Sequence, residues 1–178
     1  MVTYMTKYNV IYADPPWLQE NKNFSYMPDY PMMKVEEICA LDIPSLCDKN
    51  CLCFLWVTSA TLPWGLSVMK AWGFKYKQVI IWDKVNNNVG YWLRNRCEIL
   101  LMGVKYPTKL KPFRSKRSNI ISQKKTRLHS EKPVIFYELI EELTPGLLKI
   151  ELFARKKREG WDSWGNEIEN DTEIKTKE

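Results

Sequence analysis

The apolar positions of the chain form short runs that are separated by polar turns. The run from Tyr8 to Ala13 is β-branched and aromatic, and it stops before Pro15 and Pro16, which have no N–H to continue a strand. The run from Cys51 to Val57 is apolar throughout, as in strands that are buried on both faces of a parallel sheet. These runs predict two strands, the first of which ends in a rigid loop.

Helical patterns alternate with further strand patterns along the rest of the chain. The predicted elements are a helix over Leu62 to Trp72, strands over Lys77 to Trp82 and Glu98 to Val104, a helix over Val134 to Leu143, and a final strand over Leu147 to Phe153. This alternation predicts an α/β fold with a mostly parallel sheet that is flanked by helices. In such sheets, ligands bind beyond the carboxyl ends of the strands.

Length and composition indicate the domain organisation. The 178 residues are 45% apolar and 27% charged, which are ordinary values for one globular domain. We expect this domain to span residues 1–167 and the acidic tail, residues 168–178, to be disordered. The sequence shows neither a signal peptide nor an apolar stretch long enough to span a membrane, so a soluble cytoplasmic protein is expected.

Positive charge is concentrated in one stretch. The net charge of the chain is +6, but the segment from Lys105 to Lys132 alone has ten basic residues and one acidic residue. A polyanion is therefore a reasonable partner.

Cysteine and histidine content restricts the chemistry further. The five cysteines include no C-x-x-C pair, and His129 is the only histidine. This inventory predicts neither a bound metal nor a disulfide framework.

The sequence Asp14-Pro15-Pro16-Trp17 follows the first strand directly, where an α/β fold places its ligands. Its residue types suit an exocyclic amine such as that of adenine, whose nitrogen lone pair is delocalised into the ring. The Asp14 carboxylate, with a backbone carbonyl held by the two prolines, can accept hydrogen bonds from both N–H groups and localise that lone pair. Trp17 offers a face for stacking an unstacked base. The alternative is a strand-ending turn with a solvated Asp14 and a packed Trp17.

The segment from Val10 to Trp17 resembles the catalytic motif of the MT-A70 family of N6-adenine methyltransferases. The likeness extends from about Tyr8 to Glu167 and includes further motifs in the family's order. These are Tyr30-Pro31-Met32-Met33, Leu55-Trp56-Val57-Thr58, His129-Ser130-Glu131-Lys132-Pro133, Thr144-Pro145-Gly146 with Glu151-Leu152-Phe153, and Trp164-Gly165-Asn166-Glu167. The resemblance implies a Rossmann-like methyltransferase fold with permuted motif order, S-adenosylmethionine as the methyl donor, and adenine in nucleic acid as the acceptor.

The resemblance also implies roles for individual residues. Asp14 resembles the family's catalytic residue, close to both the target amine and the cofactor, and Pro15, Pro16 and Trp17 complete that motif. The residues that resemble cofactor contacts are Lys132 for the carboxylate, Phe153 and Arg155 for the adenosine, and Asn166 and Glu167 for the ribose hydroxyls. Relatives usually contact the cofactor's adenine from a strand upstream of the catalytic one. This chain begins almost at Tyr8, so we expect that contact to come from another segment.

The basic stretch and two loops near the predicted site supply candidates for nucleic-acid binding. Cations can contact phosphates, and interleaved aromatic side chains can stack on bases. The candidates in the stretch are Lys111, Arg114, Lys116, Arg117, Lys124 and Lys125, and those in the loops, suited to holding a flipped base, are Tyr30, Trp92 and Arg94. The alternative is a solvated basic loop.

These observations favour an N6-adenine methyltransferase that acts on DNA rather than RNA, since the compact chain shows no RNA-binding appendage. The alternative function is a non-catalytic nucleic-acid-binding partner subunit of a methyltransferase complex, although the chain keeps all four residues from Asp14 to Trp17. N4-cytosine methylation is chemically related, but its usual motif has Ser in place of Asp14. A homodimer, or a heterodimer with a related subunit, is compatible with either function.

Overall fold

The structure, a computed structural model, describes residues 6–19, 31–90, 92–105, 110, 116–125 and 131–177. The strands are β1 (Tyr8–Ala13), β2 (Cys47–Val57), β3 (Phe74–Asn88), β4 (Asn95–Lys105), β5 (Ile120–Ser122), β6 (Lys149–Leu152) and β7 (Asp162–Trp164). The helices are α1 (Val35–Ala40), α2 (Ile43–Leu46), α3 (Leu62–Ala71) and α4 (Val134–Leu143). None of these helices has the length and hydropathy that a membrane crossing requires.

The described strands form one sheet in the order β5-β3-β4-β2-β1-β6-β7. The pairs β1 with β2, β1 with β6, β3 with β5 and β6 with β7 are parallel, whereas β4 is antiparallel to both of its neighbours. The prediction of a mostly parallel sheet in an α/β fold is confirmed. Six strands therefore end, and β4 begins, at the same side of the sheet, which we call the carboxyl edge.

Both faces of the sheet are buried, because the apolar runs of the central strands present side chains to each face in turn. In β2, Cys53 and Leu55 face a core that is shared with α1, α2 and α3. Phe54 and Trp56 face the opposite core, which α4 covers with side chains such as Phe136. The uninterrupted apolar run in β2 is thus explained by helices on both sides.

The observed elements match the predicted ones where the sequence signal is long. Helices α3 and α4 lie where they were expected, and the predicted strands lie within or close to the observed ones. The sequence analysis missed α1, α2, β5 and β7, which have only three to six residues and so show no clear periodicity. The strand expected to be the last, β6, is followed by β7 at the edge of the sheet.

The acidic tail, expected to be disordered, instead packs against the domain through residues 168–177. The Asp171 N–H donates to the Ser163 carbonyl (3.0 Å), and the Asp171 carboxylate accepts from the Ser163 N–H (2.8 Å). Ile174 packs on the core beneath α1, and the Lys177 N–H donates to the Ala40 carbonyl (2.7 Å). The prediction was wrong here because it treated the tail's charges as solvated, whereas Asp171 satisfies backbone groups of the edge strand β7.

Candidate active site

The carboxyl edge brings together residues that are far apart in the sequence. Ala13 at the end of β1 pairs with Leu152 at the end of β6, so Asp14 and Phe153 leave the sheet at the same level. Because β4 runs in the opposite direction, Glu98 near its beginning lies at this edge too. The edge therefore collects polar side chains above an apolar sheet, as expected for the ligand site of such a fold.

Four charged side chains form a continuous series along this edge, which we call the ion chain: Asp14, Lys132, Glu98 and Lys84. The Lys132 Nζ lies 2.5 Å from the Asp14 Oδ2 and 3.3 Å from the Glu98 Oε2. Lys84 binds the other carboxylate oxygen of Glu98. Two carboxylates and two ammonium groups balance each other, so the series can be largely buried without leaving an uncompensated charge.

Burial differs along the ion chain in a way that marks its open end. The side chain of Lys132 is only 8% exposed, whereas that of Asp14 is 30% exposed. Lys132 lies just before α4 and its ammonium is 5.3 Å from the centre of the Trp56 ring. Trp56 in turn packs edge-on against Phe136 of α4, with 4.8 Å between ring centres. Lys132 thus packs against the Trp56 ring on the side of the core, and Asp14 is the member of the pair that faces solvent.

The pKa values of the ion chain depend on burial and on these contacts. Burial raises the pKa of the Asp14 carboxyl, and the Lys132 ammonium offsets this only in part, so the pKa lies above that of an ordinary Asp. Burial acts in the same direction on Glu98, but Lys132 and Lys84 outweigh it and lower its pKa. Burial opposes the charge on Lys132, yet Asp14 and Glu98 together raise its pKa. Asp14 is therefore the carboxylate of the series that is better suited to accept a proton.

Hydrogen bonds immobilise the loop that carries Asp14. The Trp17 N–H donates to the Pro15 carbonyl (2.9 Å), and the Pro16 carbonyl accepts from the Met33 N–H (2.8 Å). The fixed φ angles of the prolines and these two bonds leave the carbonyls little freedom. A carbonyl oxygen has two lone pairs, so each can accept a further hydrogen bond.

Trp17 does not present the stacking face that the sequence analysis expected. Its side chain is 8% exposed, its indole N–H donates to the Trp56 carbonyl (3.2 Å), and its ring lies beside Trp64 with 6.5 Å between ring centres. The indole is buried because it packs on the core beside α3, where it ties the loop to the end of β2. We therefore regard Trp17 as a positioning residue, as in the alternative of a packed tryptophan.

The residues expected to contact the cofactor meet at the carboxyl ends of β6 and β7. Phe153 has a φ of 62°, an uncommon backbone conformation for a residue other than glycine that concentrates at functional sites. The Arg155 Nε lies 3.6 Å from the Glu167 Oε1, and these side chains are 43% and 54% exposed. Asn166 is also exposed beside them. These four residues and Lys132 thus lie on the same edge of the sheet as Asp14.

The structure divides the predicted nucleic-acid contacts into two groups. Lys124 and Lys125 follow β5 and lie at the carboxyl edge, where the Lys125 Nζ donates to the Asn88 Oδ1 (3.0 Å). Lys116 and Arg117 precede β5 and lie at the opposite edge, where the Arg117 Nε is 2.7 Å from the Glu142 carboxylate. Of these four cations, Lys124 and Lys125 lie at the edge that carries Asp14, and Lys116 and Arg117 do not, because β5 runs between the two pairs.

The other predicted contacts are located only in part. Trp92 and Arg94 are exposed in the turn that joins β3 to β4, which leaves and enters the sheet at the carboxyl edge. Tyr30, Lys111 and Arg114 lie outside the described residues.

Sequence reasoning missed Glu98 and Lys84 as parts of the site. Glu98 begins a predicted strand, and in a sheet whose strands are all parallel that position lies at the amino edge, opposite the carboxyl edge. The predicted strands end at Trp82 and begin again at Glu98, which leaves residues 83–97, long enough for a crossover, so the predicted bounds carry no signal of the strand's direction. The observed strands are longer and leave only residues 89–94, too short for the crossover that a parallel pair needs. A short connection implies an antiparallel pair, and an antiparallel β4 begins at the carboxyl edge.

The sequence of the chain is similar to those of known proteins. The MT-A70 family model matches residues 8–167. The chain is 36% identical to the Type II methyltransferase M.MunI of Mycoplasma sp., with 96% of the chain and 82% of that protein covered. It is 34% identical to the N(6)-adenosine-methyltransferase MT-A70-like protein of Drosophila melanogaster, with 94% of the chain and 28% of that protein covered.

A third similar protein is human. The chain is 32% identical to the N(6)-adenosine-methyltransferase catalytic subunit METTL3 of Homo sapiens, with 94% of the chain and 29% of that protein covered. The chain thus spans most of the length of M.MunI and less than a third of the two animal proteins. The family model covers the strands β1 through β7 and all four residues of the ion chain. The protein therefore belongs to the MT-A70 family.

Proposed function

We propose that the chain transfers a methyl group from S-adenosylmethionine to the N6 amine of adenine in nucleic acid, and that the nucleic acid is DNA. The observation that carries this proposal is the Asp14 carboxylate, which stands partly exposed at the carboxyl edge beside two fixed proline carbonyls and is held by Lys132 at 2.5 Å. Family membership and the names of the relatives support the methyltransferase activity.

The Asp14 loop supplies what an adenine amine requires as a nucleophile. Lys132 contacts Oδ2 of Asp14, and within the described residues no hydrogen bond reaches Oδ1. Oδ1 and a carbonyl of the Pro15–Pro16 turn can accept the two N–H groups of the amine, which localises the nitrogen lone pair. After methylation the nitrogen has one proton in excess. The raised pKa of Asp14 makes Oδ1 a suitable acceptor for it.

The residues at the ends of β6 and β7 fit the proposed methyl donor by their chemistry. S-adenosylmethionine, when bound, supplies an electrophilic methyl group. Lys132 has three N–H groups, of which Asp14 and Glu98 occupy two, so a third is available for a carboxylate. Asn166 and the Glu167 carboxylate can bind a ribose diol, and Phe153 offers an aromatic surface. The backbone conformation of Phe153 is also consistent with close approach of the chain to a ligand.

The preference for DNA rests on the extent of the matches. The relatives whose names specify adenosine, a ribonucleoside, are covered to less than a third of their length, whereas M.MunI is covered to 82%. The likeness to adenosine methyltransferases is therefore confined to one part of those proteins. That part need not carry their choice of nucleic acid.

We propose that the nucleic acid lies along the carboxyl edge at the ends of β3 and β5, next to Asp14. Lys124 and Lys125 would neutralise phosphates, while Trp92 and Arg94 in the turn between β3 and β4 would hold an unstacked base. Tyr30, Lys111 and Arg114 stay predictions from the sequence. So does a homodimer or a heterodimer with a related subunit, which sedimentation analysis of the purified chain would test.

The decisive experiment is mass spectrometry of nucleosides after incubation of the chain with isotope-labelled donor and either DNA or RNA. We expect labelled N6-methyldeoxyadenosine from DNA, formed about a thousandfold more slowly by the Asp14→Asn variant. Label in RNA alone would reject DNA as the substrate, and label in cytosine would reject adenine. Binding of nucleic acid and donor without any methylated product would favour the partner-subunit alternative.

A further inference from the structure

A crevice of about 550 Å³ lies beside β7, and its walls are Trp164 and the residues 170–175. We call residues 170–175 the tail segment. They are placed by hydrogen bonds to β7 and to the residue that follows it: the Asn170 Oδ1 accepts from the Gly165 N–H (2.7 Å), and Asp171 bonds Ser163 through both backbone and side chain. Lys157 also contacts the Asp171 carboxylate at 2.5 Å. The wall opposite Trp164 is therefore a fixed part of the domain.

The polar side chains of the tail segment divide into two kinds. Asn170 and Asp171 use their acceptor oxygens on β7, so their role is to attach the segment. Within the described part of the chain, the Thr172 hydroxyl and the Glu173 carboxylate have no hydrogen-bond partner, although both line the crevice. The crevice thus combines an aromatic wall with a carboxylate that can still accept hydrogen bonds, which suits a flat heterocycle with an exocyclic amine.

The crevice also adjoins the residues proposed for the methyl donor. The Trp164 ring packs edge-on against Phe153, with 5.4 Å between ring centres. Asn166 and Glu167, the proposed ribose contacts, follow Trp164 by two and three residues, so their Cα atoms lie within about 12 Å of its Cα. A ribose bound by this pair would have its base one bond away, next to the crevice.

We infer that this crevice receives the adenine base of the methyl donor and that Glu173 accepts a hydrogen bond from its N6 amine. The inference rests on the proposed function, because it presupposes the donor. It assigns to the tail segment a part in donor binding: the face of Trp164 covers the base and Glu173 recognises the amine.

The test is calorimetric titration of the full chain with two ligands, S-adenosylhomocysteine and its inosine counterpart, in which a carbonyl replaces the amine. We expect the wild-type chain to bind the adenine ligand about tenfold more tightly, since the inosine ligand presents a carbonyl oxygen to the Glu173 carboxylate where the adenine ligand presents an N–H. Glu173→Ala should lose most of this preference, and Glu173→Gln should keep part of it through the amide oxygen. Glu169→Ala is the matched control, because Glu169 is exposed in the same tail but does not line the crevice.

The outcomes separate this inference from the proposed function. An unchanged preference in Glu173→Ala, with tight binding of the adenine ligand, would overturn the inference and leave the donor in place. Binding of neither ligand by the wild-type chain would reject the donor and the inference together. A photoreactive 8-azidoadenine analogue of S-adenosylhomocysteine gives a second measurement on the unmodified chain. Label in the peptide that contains residues 164–175 supports the inference, and label confined to other peptides contradicts it.

Discussion

The carboxyl edge has two sectors that are built differently: the acceptor sector, which contains Asp14 and Lys132, and the donor sector, which contains Arg155, Asn166 and Glu167. In the acceptor sector, Lys132 is almost fully buried, lies 2.5 Å from Asp14 and rests on aromatic rings. In the donor sector, Arg155 and Glu167 lie 3.6 Å apart and are about half exposed. Exposed side chains keep their rotamer freedom until a ligand orders them, whereas the buried pair is ordered by folding. The acceptor sector is therefore preorganised, and changes in it should affect both stability and catalysis.

The largest effect is expected for Asp14→Asn. The amide retains the shape of the carboxylate but removes its negative charge and its capacity to accept a proton, so turnover should fall by about a thousandfold, or about 4 kcal/mol in barrier. Donor affinity should weaken only partly, because the donor sector is unchanged. Steady-state kinetics and calorimetry on the same preparation measure both effects. Turnover within about tenfold of wild type would exclude Asp14 as the catalytic residue.

The next effect distinguishes the two sectors directly. Lys132→Ala leaves Asp14 and Glu98 facing each other without their shared ammonium, so the free energy of unfolding should fall by about 3 kcal/mol. Asn166→Ala in the donor sector should leave stability within about 0.5 kcal/mol of wild type and weaken donor binding instead. Denaturant titration measures the first quantity and calorimetry the second.

Two controls keep this comparison interpretable. Lys124→Ala removes an exposed lysine from the same edge and should not change stability, and Lys132→Arg should restore part of what Lys132→Ala loses. Equal stability of Lys132→Ala and wild type would mean that the acceptor sector is no more preorganised than the donor sector. Unchanged donor affinity in both Lys132→Ala and Asn166→Ala would place the donor elsewhere.

A smaller, pH-dependent effect is expected for Glu98. Because Lys132 and Lys84 lower its pKa below the ordinary value of 4.5, Glu98 stabilises the folded state above that pH and loses this contribution as the pH falls through its lowered pKa. Glu98→Gln should therefore unfold more easily by about 2 kcal/mol at pH 7, and the difference from wild type should shrink as the pH is lowered below about 4.5. The contribution of Asp14, whose pKa is raised, has the opposite sign. The charge of Glu98 is one cause of that raised pKa, so Glu98→Gln removes part of the Asp14 contribution as well. A difference that is constant with pH would contradict this account of Glu98.

The parts of the site that could be predicted from sequence are those set by local signals. Asp14 follows a short β-branched strand and precedes two prolines, so its position at a strand end required no knowledge of the rest of the chain. Its contact with Lys132 spans 118 residues and depends on where α4 packs, which periodicity does not reveal. The location of Glu98 depended on the direction of β4, and that of Trp17 on the core beside it. Long-range packing therefore accounts for what the sequence analysis missed or misplaced.

The smallest effect concerns the basic residues on either side of β5, and it compares the two edges of the sheet instead of the two sectors. Lys124 and Lys125 follow β5 at the carboxyl edge, and Lys116 and Arg117 precede it. Arg117 is also paired with Glu142. If nucleic acid lies along the carboxyl edge, replacement of Lys124 and Lys125 with alanine should flatten the slope of log affinity against log salt by one to two units, at about 0.9 per duplex phosphate contact.

The matched double variant, with Lys116 and Arg117 replaced, should leave the slope within about half a unit of wild type, and donor affinity should be unchanged in both variants. Fluorescence anisotropy with a labelled duplex over a range of salt concentrations gives the slopes. Asn88 already accepts a hydrogen bond from Lys125, so the effect of Lys124 alone should be at least half of that of the pair. A larger change from Lys116 and Arg117 would place the nucleic acid on the amino edge, away from Asp14, and would contradict the acceptor sector as the place where the base is methylated.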